Sequence, residues 1–106
     1  MPVREIESIK DQFIKHLSPK KIYLFGSYVD GSFSEDSDFD FYIVMDDSAD
    51  NLSDIAARAY KSIRYIKQHP VDIIVGTDSR FEERKEFPSV EKEVYQKGVL
   101  LYGGRG

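Results

Sequence analysis

Gly26 and Ser27 are followed, ten residues later, by Asp38-Phe39-Asp40, which runs into the apolar stretch Phe41 to Met45. A glycine-serine turn lets backbone approach phosphate oxygens, because glycine has no Cβ to hold them away. Residues two apart in an extended chain point to the same side, so Asp38 and Asp40 project together while Phe39 and Phe41 project oppositely. A third acid, Asp72, stands near the start of a second apolar run, Val71 to Val75, from which a neighbouring strand would complete the set. Three carboxylates in one place repel one another unless cations sit among them. The cluster therefore implies metal, and its oxygen donors suit Mg²⁺ or Mn²⁺. Two such ions about 3.5–4 Å apart hold charge on the entering and leaving oxygens of a phosphorus centre. A phosphate-approaching turn beside such a carboxylate pair is what triphosphate chemistry needs. Asp38, Asp40 and Asp72 are the predicted catalytic and metal-binding residues, and Gly26 and Ser27 the predicted phosphate-binding ones.

This arrangement resembles the nucleotidyltransferase superfamily that includes DNA polymerase beta, and within it the minimal nucleotidyltransferases. The family signature is a glycine-serine pair, a ten-residue gap and an Asp-x-Asp, and it reads here as Gly26-Ser27 through Asp38-Phe39-Asp40 without insertion. Asp72 and the closing Lys97-Gly98-Val99-Leu100-Leu101-Tyr102 are also similar, so the likeness spans nearly the whole chain. The resemblance implies a polymerase beta palm-like fold, ATP as substrate and a HEPN-domain protein as partner. It further implies a toxin-antitoxin role, in which some such antitoxins transfer AMP onto a tyrosine of the toxin. One departure concerns the basic residue that many members carry a few positions after the serine. Here that region is Tyr28-Val29-Asp30-Gly31, and an inward-pointing Asp30 would repel phosphate. A cation from elsewhere is then required, with Arg58, Lys61 and Arg64 as candidates, or triphosphate affinity is weak.

At 106 residues the chain is expected to form one domain, 1–106, with a single core. The larger relatives carry a separate acceptor-binding domain that this length does not accommodate, so the acceptor surface belongs to a partner or the acceptor is small. Fifteen basic against nineteen acidic residues give a net charge of −4, with no Lys/Arg block. Nucleic-acid backbones are gripped by basic stripes, so work on DNA is disfavoured. Without cysteine there is neither a disulfide framework nor a thiolate zinc site. No apolar stretch is long enough for a signal peptide or membrane span, and a cytoplasmic protein is expected. A homo-oligomer is left open.

The elements that must position these residues form a small α/β (α+β) domain, a mixed β-sheet flanked by helices. Val3, Ile6, Ile9, Phe13, Ile14 and Leu17 recur at helical spacing, and Ser18-Pro19 ends that helix. Residues 21–25 read as a buried strand ending at the Gly-Ser turn, and residues 37–45 as the second strand. Leu52, Ile55, Ala56, Ala59, Ile63 and Ile66 stripe a second long helix that ends before Pro70. Residues 71–76 form the third strand. Ser79 with Glu82 suggests a capped short helix, and Pro88 the first turn of another that closes at Gly98. Residues 99–102 would add an edge strand, and residues 103–106 a loose tail. His16 and His69 are expected at helix ends on the surface. Asp36-Ser37-Asp38-Phe39-Asp40 imitates a calcium loop, but Phe41 occupies the position where that loop requires glycine. The competing expectation is a non-catalytic antitoxin that neutralises its partner by contact alone.

Overall fold

A computed structural model describes residues 3–104, so Met1, Pro2, Arg105 and Gly106, including the end of the expected tail, lie outside the described residues. The elements run α1 (Val3–Leu17), β1 (Lys21–Phe25), α2 (Ser27–Asp30), β2 (Phe39–Met45), α3 (Leu52–Ile63), β3 (Val71–Thr77), α4 (Asp78–Arg84), α5 (Val90–Lys97) and β4 (Val99–Tyr102). The strands form one mixed sheet in the order β3-β2-β1-β4. Neighbours β2 and β1, and β1 and β4, are antiparallel, whereas β2 and β3 are parallel and joined through α3. A parallel pair needs such a crossover, because no tight turn can return the chain to the same edge.

Alternation along β2 separates two cores. Phe39, Phe41, Ile43 and Met45 face α1 and α3, where they pack with Ile9, Phe13, Ile55, Ala59 and Ile63. Phe13 meets Phe41 edge-on at 5.4 Å between ring centres. On the opposite side Tyr42 and Val44 pack with Tyr23, Phe25, Phe81 and Val94 beneath α4 and α5. Asp38 and Asp40 share the side of Tyr42, so the residue parity that buries the phenylalanines also presents the carboxylates.

The boundaries differ from the expected ones for local reasons. Strand β2 starts at Phe39, whose amide bonds the carbonyl of Pro70 at 2.9 Å, while Ser37 turns back to the carbonyl of Ser34. Helix α3 stops at Ile63, where Ile66 and Lys67 both donate to its carbonyl in a closing turn. Thr77 rather than Ser79 caps α4, accepting from the Arg80 amide, and the Ser79 amide goes instead to Asp47 at 2.8 Å. Ser89 caps α5, which leaves Pro88 outside the helix. Gly98 does end α5, and β4 forms the expected edge strand.

Glu91 was not legible as a core residue. It is 1% exposed on α5, accepts from the Tyr42 hydroxyl at 2.8 Å and from Arg84 Nε at 3.0 Å, and has Arg80 Nε at 3.6 Å. Burial works against its ionisation, yet the hydrogen bonds from Tyr42 and Arg84 prevail and hold its carboxyl below the ordinary glutamate range. The same burial and hydrogen bond push the Tyr42 phenol up.

Phe39 lies fully buried between the two aspartates and stacks on Phe33 at 5.2 Å. Phe39→Ala is expected to cost about 3–5 kcal/mol, read by denaturant unfolding. A loss below about 1 kcal/mol would show that this side chain does not anchor the strand.

Candidate active site

Strand β1 ends and strands β2 and β3 begin at one edge of the sheet, and the predicted site residues gather there. The register pairs Phe25 with Asp40 across the antiparallel ladder and Asp40 with Asp72 across the parallel one. Asp40 is thus flanked by the Gly-Ser turn on one side and Asp72 on the other. Asp38, one residue before the strand, comes within hydrogen-bonding reach of Asp72 and within the electrostatic field of Asp40. Asp38 and Asp40 are half-buried, and Asp72 is exposed.

Gly26 adopts φ 81° and ψ −149°, a conformation open essentially to glycine alone. A Cβ at this position would overlap Asp40 Oδ2, so the missing side chain is what lets the turn lie against the carboxylate. Val29 and Asp30 both donate to the Gly26 carbonyl at 3.0 Å, closing α2. The amides of Ser27 and Tyr28, at the front of that turn, have no acceptor within it. Asp30 does not point freely into the site: its Oδ1 accepts from the Ser32 hydroxyl at 2.6 Å and the Ser32 amide at 2.9 Å. Those two bonds hold its carboxyl below the ordinary aspartate range.

Burial is the main reason that the Asp40 carboxyl is pushed up to about 6, and the charges of Asp72, Asp38 and Glu93 add to it. Asp72 is raised as well, by burial and then by its hydrogen-bonding contact and charge interaction with Asp38. Among the described residues no three acidic or histidine side chains converge tightly enough to form a ready-made metal cage. Like charges spread apart when nothing lies between them. Oxygen donors on adjoining strands, two of them, Asp40 and Asp72, with pKa values raised by burial and then by neighbouring charge, make an environment that a divalent cation relieves, so the residues present fit Mg²⁺ or Mn²⁺.

Two expectations about the surroundings need correction. His69 is not a surface residue at a helix end: its Nδ1 lies 2.7 Å from Glu5 Oε1, and its ring packs against Phe33 and Phe39. Glu5 Oε2 also accepts from the Gln68 and His69 amides at 2.6 and 2.9 Å, which fixes the turn leading into Asp72. Of the candidate cations Arg58, Lys61 and Arg64, Arg58 donates to the His16 carbonyl and Arg64, just after α3, lies over Tyr65, and none of the three lines the pocket beside the Gly-Ser turn. The basic side chain beside the Gly-Ser turn is Lys97 on α5. Its nearest sequence signal was its place four residues after Glu93 and next to Gly98.

Residues 6–101 match the family model described as nucleotidyltransferase domain. A protein of Methanocaldococcus jannaschii that carries the name "putative protein adenylyltransferase" is 31% identical over 83 residues, spanning 78% of each chain. A nucleotidyltransferase-type crystal structure from Sulfolobus solfataricus superposes with a TM-score of 0.65 at 20% identity, covering 94% of this chain and 78% of that one. A tri-AMPylated Shewanella oneidensis HEPN toxin in complex with its MNT antitoxin matches with a TM-score of 0.58 at 20% identity, covering 99% of this chain and 75% of that one. At these identities the two structures establish the shared fold.

Because Asp40 binds its proton more tightly in the folded chain than in the unfolded one, metal-free protein is expected to lose stability as pH rises from about 4 to about 6. Asp72 acts in the same direction. Thermal melts in a chelator would show the fall, and Asp40→Asn should flatten it. An unchanged slope in that variant would mean that Asp40 is not the group responsible.

Proposed function

Since this chain belongs to the nucleotidyltransferase domain family, we propose that it transfers AMP from ATP to a hydroxyl on a partner protein, as an antitoxin acting on a HEPN-domain toxin. The observation that carries the chemistry is the register of Asp40 with Asp72, with Asp38 beside them and Gly26 against Asp40. The family and the adenylyltransferase name of the archaeal relative support a nucleotidyl group as cargo. The AMPylated toxin in the Shewanella complex supports AMP and a HEPN protein as acceptor.

In this reading Asp38, Asp40 and Asp72 would together hold the divalent ions. Bound there, the metal lowers the pKa of the attacking hydroxyl and neutralises the departing pyrophosphate. The acceptor oxygen forms its bond to the α-phosphorus as the bond to the β-phosphate bridging oxygen breaks. Asp72, exposed at the outer strand, takes the hydroxyl proton on its way to solvent. Gly26 brings backbone close to the phosphates, and the Ser27 hydroxyl and amide donate to their oxygens.

A contact antitoxin with little activity is favoured by a different observation. Tyr65 is 88% exposed, and Tyr60, Ile66 and Ile74 are also exposed near the end of α3 and on outer strand β3. Apolar side chains of this size on the surface suit a protein interface.

Incubation with Mg²⁺, α-labelled ATP and a HEPN-domain protein from the same genome separates the readings. Label is expected on the partner, lost in chelator and reduced about a hundredfold or more by Asp38→Asn or Asp40→Asn. Full neutralisation of the partner by both variants, without label in wild type, would establish the contact reading instead.

A further inference from the structure

We propose that Lys97 binds the outer phosphates of the triphosphate, supplying from the last helix the cation that the residues after Ser27 do not provide. The proposal rests on the nucleotidyl-transfer reading above. A pocket of about 370 Å³ opens beside the Gly-Ser turn, lined by Gly26, Val29, Asp30, Glu93 and Lys97. That volume falls in the range of small-molecule sites. Lys97 is the basic residue among the five.

The side chain is available for a ligand. Lys10, Lys20 and Lys85 each pair with a carboxylate within 3.0 Å, whereas among the described residues Lys97 makes no ion pair and acts on Asp30 only through its charge, without contact. Its base is nonetheless fixed. Val94, one turn earlier, is fully buried against the sheet, and the Gly98 amide donates to the Val94 carbonyl at 2.8 Å, closing the helix directly after Lys97. Glu93 lies on the same side four residues before, near enough to Asp40 to add to its field. Helix α5 therefore places both an acid, within the field of Asp40, and an ammonium at the pocket beside Gly26.

Charge balance gives the placement its meaning. Divalent ions at Asp38, Asp40 and Asp72 would offset part of the charge of the triphosphate, and a further cation beside the Gly-Ser turn would offset more of the charge on its outer phosphates. The other charged residues lining the pocket, Asp30 and Glu93, are acids, and Asp30 is tied to Ser32, so Lys97 is the cation at that position. A lysine ammonium is a compact charge with three donors on a flexible stem, suited to phosphate oxygens whose exact position shifts during departure.

Calorimetric binding of a non-hydrolysable Mg²⁺-ATP analogue and of AMP to the whole protein tests the assignment. Lys97→Ala is expected to weaken the triphosphate about tenfold and Lys97→Glu more, with Lys97→Arg restoring most of the affinity. AMP, which lacks the outer phosphates, should bind within about twofold of wild type in every variant, and Lys15→Ala at the far end of α1 should change neither ligand. Equal triphosphate affinity in wild type and Lys97→Ala overturns the proposal, as does a parallel loss of AMP. If wild type itself binds no Mg²⁺-triphosphate, the nucleotidyl-transfer reading fails first and this inference with it.

Discussion

Three carboxylates crowded at one edge of a four-stranded sheet are costly to hold together, and the rest of the fold can be understood as the means of holding them. The parallel pairing of β2 with β3 puts Asp40 opposite Asp72, and the same ladder commits the intervening side chains to opposite faces. A slip of one residue would bury the acids under α1 and α3 and turn Phe39, Phe41, Ile43 and Met45 away from the core they fill. The hydrophobic effect thus enforces an arrangement that electrostatics alone would disperse. Stability and chemistry pull against each other here, as expected where a site depends on a ligand to complete it.

Two buried glutamates fasten the flanks of that edge. Glu5, from the first turn of α1, gathers two amides and the His69 ring nitrogen, and so fixes the approach to β3 three residues before Asp72. Glu91, from α5, ties Tyr42 in the middle of β2 to a helix that also carries Glu93 and Lys97. Both acids have their lone pairs occupied, which is the condition under which burying a charge is tolerated. Through them, segments far apart in sequence are set relative to the three aspartates without touching them.

The layout of the sheet and the meeting of the aspartates were readable because each depended on period and spacing. Alternation from Phe39 to Met45 fixed which side the acids take, and Gly26-Ser27 fixed where β1 turns. What the sequence hid were features made by long-range partners. At α4 the Thr77 cap competes locally with Ser79, and the tertiary hydrogen bond of the Ser79 amide to Asp47 favours Thr77, while at α5 the Ser89 cap takes the start from Pro88. Glu91 reads as a helix surface residue until Tyr42 and Arg84 are seen around it. His69 looks like a surface histidine before a proline until Glu5, 64 residues earlier, reaches it. Lys97 carried no periodic signal because its neighbour is a turn on the far side of β1.

The central claim is that Asp38, Asp40 and Asp72 form one divalent-cation site against Gly26. Paramagnetic broadening of assigned NMR resonances by substoichiometric Mn²⁺ addresses it directly. The account predicts that signals of these three aspartates and of Gly26 vanish first, and recover when excess Mg²⁺ is added. Earliest broadening at other acidic pairs, Asp46-Asp47 after β2 or Glu82-Glu83 on α4, with Asp72 unaffected, would contradict it.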